Sequence, residues 1–197
     1  MASSQPLIRE DSHDCFRSAA GTVGQAAAIF GMLHRDSADS AAVHARLAAL
    51  AERSDEFGCE LHGAPEAAGR CALGPALHSV VAHLRTAAER ASLHHTTALV
   101  DELTEVIAIV EECGQHTARS LTAPLNFREA QRYRAEIQRL ADDADDAFRR
   151  LFARWYFDTE DFMAVAGMRD LGDELENVVQ AFESVADAVL VRDRRLG

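Results

Sequence analysis

Two stretches of this chain carry residue types whose spacing could do chemistry. The nonapeptide LADDADDAF, Leu140 to Phe148, sets four aspartates within five positions. Further on, LENVVQAFESVADAV, Leu175 to Val189, spaces Glu176, Gln180, Glu183 and Asp187 at i, i+4, i+7 and i+11. Aspartate is a mediocre helix former and close like charges repel, so each cluster needs a physical reason. A solvated face, a salt-bridged flank and a set of oxygen ligands for a hard cation are the three that fit. Oxygen-only ligation suits Mg²⁺, Ca²⁺, Mn²⁺ or iron better than Cu⁺ or a thiolate zinc site.

Helical geometry sorts these acids. At about 100° per residue, Ile137, Leu140, Ala144, Phe148, Leu151 and Trp155 form one apolar stripe. Asp142 and Asp146 fall nearly opposite it, Asp143 points largely outward, and Asp145 lands on the border of the core. Asp55 takes the matching border position in LAERSDEF, Leu50 to Phe57. In the last helix Leu175, Val178, Val179, Phe182, Val185, Ala186 and Val189 make the core face, and the acids run along its flank. The equivalent earlier edge reads His78, Ala82, Arg85 and Glu89. If packing sets Asp145 beside Glu176, Glu183 and Asp187, that cluster requires arginine, lysine, protons or a metal ion. Arg149, four residues after Asp145, is the local cation that would neutralise it. In the earlier edge, Arg85 near Asp55 favours a salt bridge over a metal.

Other chemistries find less to work with. All nine histidines lie at or before His116. His94 and His95 are adjacent, and His78 and His83 are five apart, so each pair diverges on a helix. There is no HExxH, and no Glu-x-x-His pair placed as a ferritin-like di-iron centre needs it. GxSxG is absent, and GTVGQAAA lacks the lysine and spacing of a phosphate loop. The chain therefore reads as a non-enzyme. Cysteines stand singly at 15, 59, 71 and 113, which predicts neither a disulfide framework nor a thiolate zinc site and favours a reducing cytoplasm.

Helices must position these residues. Hydrophobic residues are 48% and aromatic residues 6% of 197, with alanine abundant, a composition suited to closely packed helices rather than sheets. Period 3.6 runs throughout and predicts helices over roughly 8–34, 39–62, 73–95, 97–121, 126–157 and 159–193. The breaks HRDSADS, HGAPEAAG, TAPLNFRE and YFDTED gather Asp, Ser, Gly and Pro. Asn126 with Glu129, and Asp158 with Asp161, are spaced as helix N-caps. LAERSDEF lies over LADDADDA, and LHSVVAHLRTAAERA, Leu77 to Ala91, lies over LENVVQAFESVADAV without a gap. Leu77/Leu175, Val80/Val178, Val81/Val179, Leu84/Phe182 and Ala88/Ala186 correspond. Two matches in one order predict a single all-α domain over 1–197, a six-helix bundle of two three-helix units spanning about 8–95 and 97–195. The competing reading is that amphipathic helices share Leu and Val spacing by chance.

The formal net charge of −12, from 32 acidic and 20 basic residues, argues against a nucleic-acid or anionic-membrane surface, which needs Lys and Arg. MASSQPLIREDSHD has no basic segment followed by an apolar run, and VGQAAAIFGML is too short and glycine-interrupted to span a bilayer. A cytoplasmic protein without membrane insertion is the expectation.

The pattern ADDAF, followed by Arg149 and then LENVVQAFESVADAV, resembles the PhoU-like regulators of phosphate transport, closest to the small branch that accompanies Pit-type phosphate permeases. The resemblance covers nearly the whole chain, strongest from Glu136 to Val191 and weak before Asp39. It implies six helices in two three-helix repeats and a non-enzymatic accessory role in inorganic phosphate transport, exercised on a membrane permease, with a homo-oligomer compatible with that role. It also implies multinuclear metal binding through a repeated E-x-x-x-D element, which stands here as Glu183 to Asp187. The ligands carried over are Asp145, Glu176, Glu183 and Asp187, with Asp55 and Glu89 as a weaker second cluster. The ion would be divalent or trivalent: iron, zinc, Mg or Mn. The chain departs from the pattern at Gln180, at Ala51 and Ala141 four residues before Asp55 and Asp145, and at His78 and Arg85, all positions where acids are expected. Two other classes compete. A ferritin-like metalloenzyme needs histidine and carboxylates on facing helices, and the second unit reads as offering acids but no histidine. A metal-free structural bundle would have salt-bridged edges.

Overall fold

The computed structural model describes residues 7–35, 39–62, 72–93, 99–122, 125–157 and 162–194, with side chains described at 15–35, 39–52, 72–93, 99–122, 125–155 and 165–191. Six helices follow one another: α1 Leu7–Phe30, α2 Ser40–His62, α3 Leu73–Leu93, α4 Asp101–Ser120, α5 Phe127–Phe157 and α6 Phe162–Arg194. No strand occurs among the described residues, and the protein is all-α. The first helix ends earlier than its periodicity predicts, tightening into a 3-10 turn over Gly31–His34. Gly31 is buried there, and a β-carbon on it would overlap the Glu111 carboxylate.

Two helix starts are fixed by side chains. The Asp39 carboxylate accepts from the Ala41 amide at 3.0 Å at the head of α2. At the head of α5, Asn126 Oδ1 accepts from the Glu129 amide at 3.0 Å while the Glu129 carboxylate accepts from the Asn126 amide at 2.9 Å. That reciprocal pair satisfies two otherwise orphaned donors. The other expected cap, Asp158 with Asp161, lies outside the described residues.

One hydrophobic core draws on all six helices, with Phe30, Leu47, Leu84, Ile107, Leu140 and Phe182 fully enclosed. α3 lies most extensively along α6 and α1 along α4, while α2 packs on α3, and α5 packs on both α4 and α6. The apolar stripe predicted on α5 is buried from Ile137 through Leu151, and Trp155 is packed against the core while partly exposed. Leu77, Val80, Val81, Leu84 and Ala88 on α3, and their counterparts Leu175, Val178, Val179, Phe182 and Ala186 on α6, are all buried. Small residues carry the α1–α4 crossing. A β-carbon on Gly24 would come within 2.6 Å of Ala118 Cβ, and one on Gly114 would overlap Ala27 Cβ. None of the described helices is long and apolar enough to cross a membrane.

Candidate functional site

The acids of LADDADDAF are all exposed, and their partners differ. Asp142 accepts from Gln138 Nε2 at 3.3 Å, Asp143 from Arg139 at 2.6 Å, and Asp146 from Arg149 at 2.8 Å. Arg149, expected to neutralise Asp145, instead takes Asp146, one turn back on its own face. Asp145 has no cationic partner among the described residues. It lies close enough to Glu176 on α6 to repel it. The Glu176 carboxyl is held above the ordinary carboxylate range, first by partial burial, then by Asp173, then by Asp145.

The far end of the α6 edge behaves differently. Asp187 accepts from Arg134 of α5 at 2.6 Å, so a guanidinium occupies the side of that carboxylate. Asp145 with Glu176, and Arg134 with Asp187, describe one antiparallel register of α5 against α6. Eleven residues of helix separate Glu176 from Asp187, about 16 Å at 1.5 Å per residue, so the two cannot ligate one ion. Glu183 lies between them, half-buried, and Gln180 is exposed. On α3, Glu89, Arg85 and His78 are exposed. Asp55 sits on α2 where the side chains are outside those described. Asp145 thus acts on Glu176 electrostatically, after burial and Asp173, while Asp187 is paired with an arginine.

A second cluster, absent from the expectations, lies between α4 and α5. His116 Nε2 is 3.7 Å from Glu112 Oε1 on its own helix and 3.9 Å from Glu136 Oε1 on the neighbour. Among the described residues these three form the one group of metal-ligating side chains with ligand atoms all within 4.8 Å of one another. The second unit therefore does hold a histidine among its acids, contrary to the reading from sequence. Arg139 threads the same space. Its Nη2 is 2.7 Å from Glu136 Oε1 and 3.8 Å from Glu112 Oε1, and its Nη1 is 2.6 Å from Asp143. The Arg139 hydrogen bond, then its charge and that of His116, hold the Glu136 carboxyl below the ordinary range.

Beneath this cluster Cys113 is fully enclosed, and burial, with Glu112 next, pushes its thiol up to about 12. A thiol so held is protonated and inert as a ligand or nucleophile. One turn further on, Thr117 and Tyr133 share a buried hydrogen bond of 2.8 Å between α4 and α5. Burial drives the Tyr133 phenol well above its ordinary value. Ion pairs continue the interface away from this point: Arg150 with Glu105 at 2.5 Å and Arg154 with Glu102 at 3.2 Å. The α4–α5 interface is thus charged along its rim and apolar beneath.

The spacing of Glu112 and His116, four residues apart, was the one sequence signal for this cluster, because it places both on one helical face. Glu136 comes from another helix. Across α3 and α6, His83 Nδ1 meets Glu174 at 2.7 Å and Arg90 lies 3.9 Å from Asp170. No family model matches this chain, and no curated protein matches it.

Proposed function

We propose that the chain is a cytoplasmic, PhoU-like accessory protein of inorganic phosphate transport that acts by contacting a membrane permease and binds a metal ion through the acidic flank of its last helix. The transport role rests on the resemblance carried by residues 136–191. The observation that carries the rest is that burial, Asp173 and then Asp145 hold the Glu176 carboxyl above the ordinary range, with no cation against Asp145 among the described residues. A divalent or trivalent ion between Asp145 and Glu176 would remove their repulsion. The helix pairing supports two related three-helix units: first helix on first, α1 along α4, and third on third, α3 along α6. Glu183 would extend the ligand set, and Asp187 would join only by releasing Arg134. Asp55 and Glu89 remain the proposed second cluster. The chain would not itself be an enzyme.

The Arg134–Asp187 pair favours one other reading, a metal-free interaction bundle whose acidic edges are salt-bridged. Two measurements separate them. Elemental analysis of protein purified without chelator should find metal that is lost from the Asp145→Asn/Glu176→Gln variant; equal metal content in both proteins removes these ligands. Phosphate uptake through a co-expressed Pit-type permease should change when the chain is present. Uptake identical with and without it overturns the transport role, whatever the metal result.

A further inference from the structure

We propose that Glu112, His116 and Glu136 form a zinc site at the α4–α5 rim, held closed in the metal-free protein by Arg139, which zinc displaces onto Asp143. The proposal does not rest on the phosphate-transport reading and concerns different residues from its acidic edge. Three observations carry it.

The ligand geometry comes first. Two ligands bound to one tetrahedral zinc at about 2.0–2.1 Å stand about 3.3 Å apart. His116 Nε2 stands 3.7 Å from one carboxylate oxygen and 3.9 Å from the other. His116 closes on each carboxylate oxygen by a side-chain shift of about half an ångström, and the three ligand atoms already lie within 4.8 Å of one another. Two of the ligands share one helical face at i and i+4, and the third faces them from the antiparallel neighbour. A nitrogen and two oxygens with a position left for water is a donor set zinc accepts.

The charge balance comes second. Glu112, Glu136 and Asp143 meet the single guanidinium of Arg139. Three carboxylates against one guanidinium leave the cluster net negative with His116 in either protonation state, and a divalent cation answers that charge.

The third is that the competitor has somewhere to go. Arg139 is forked: Nε and Nη2 serve Glu136, while Nη1 serves Asp143 at 2.6 Å. It is half-exposed, so releasing Glu136 costs no burial of its charge, and Asp143 retains it through the exchange. Arg139 is then a positioning residue that sets zinc affinity by competition.

The test titrates zinc into chelator-stripped, full-length protein by calorimetry, with cobalt absorption reporting the coordination. One equivalent is expected in the wild type. His116→Gln, close in size and polar, should weaken binding at least about tenfold, as loss of a ligand exceeds loss of its supporting partners. Arg139→Gln should tighten binding, and the equivalent that depends on His116 should persist in Asp145→Asn/Glu176→Gln. Circular dichroism checks that each variant is folded. Absence of zinc binding in both wild type and Arg139→Gln, or equal binding in His116→Gln, overturns the site. Binding in Arg139→Gln no tighter than in the wild type overturns the displacement. Loss of binding in Asp145→Asn/Glu176→Gln would place the zinc on the acidic edge of α6 instead.

Discussion

The direction in which Glu176 is perturbed fixes how pH acts on the α5–α6 contact. Burial, then Asp173, then Asp145, raise its carboxyl above the ordinary range, so the folded chain binds that proton more tightly than the unfolded chain does. The group's contribution is full below the unfolded carboxyl range and is lost as pH rises through the raised folded value. Glu176→Gln cannot ionise and escapes that loss. In chelator-stripped protein its melting temperature should match the wild type below about pH 4 and exceed it at neutral pH. The gain is at most about 1 kcal/mol because water reaches and screens this half-buried carboxylate. Asp145→Asn should act in the same direction and more weakly. A neutral-pH melting temperature at or below wild type would contradict this account. The outward rotation of Asp142, Asp143 and Asp146 was readable because it depends only on their own helix, whereas Asp145, read as bordering the core, is exposed like them. The companionship of Glu112, His116 and Glu136 was not readable, since it needs the axial register of α4 against α5. That register is set by side chains such as Thr117 and Tyr133, whose pairing no single-helix pattern displays.

At the scale of the elements, α1 and α4 approach through small residues, and the energetics of that approach can be tested by adding one methyl group. Gly114→Ala gains helix propensity of about 1 kcal/mol but forces its β-carbon into Ala27 Cβ, which is short, rigid and buried. Overpacking of this kind costs about 1–3 kcal/mol, so the net should be destabilising by about 1 kcal/mol, or about 2–4 °C in Tm for a chain of this size. Gly21 on the same α1 helix is exposed, and a methyl group added there would meet nothing within 4 Å. Gly21→Ala should therefore stabilise by about 0.5–1 kcal/mol. Thermal melts of the two variants should shift in opposite directions, and a shared sign would refute the tight crossing. The sequence displayed the glycines of GTVGQAAA, and their failure as a phosphate loop was legible. Their structural use was not, because a close crossing depends on which helix arrives opposite. Helix existence was legible from period 3.6, and the α5 start from the Asn126–Glu129 spacing. The shift from α-helix to 3-10 turn at Gly31 escaped, since it arises where Glu111 of α4 fills the space a β-carbon would take.

Over the whole molecule, the pairs α1 with α4 and α3 with α6 join the first half of the chain to the second through a single core. A likeness between the sequences of α3 and α6 would not make either half self-sufficient. Parting them uncovers α1 where it meets α4 and α3 where it meets α6. Each Val, Leu or Phe side chain moved from full burial to water costs about 1.5–3 kcal/mol. Four or five such residues exposed along these two seams would cancel the whole net stability of about 5–15 kcal/mol expected of a domain. Ion pairs across the α3–α6 seam, His83 with Glu174 and Arg90 with Asp170, offset little of this because exposed pairs contribute about 0–1 kcal/mol each. Fragments covering 8–95 and 97–195 should therefore show no cooperative melting when separate, by circular dichroism, and should regain it when mixed. A sharp transition in either fragment alone would mean that each half closes its own core and that the seam between them is an interface between finished units. The seam as described belongs to the core itself, with Leu77, Val80, Val81 and Leu84 on one side and Leu175, Val178, Val179 and Phe182 on the other enclosed to within 4% of full burial.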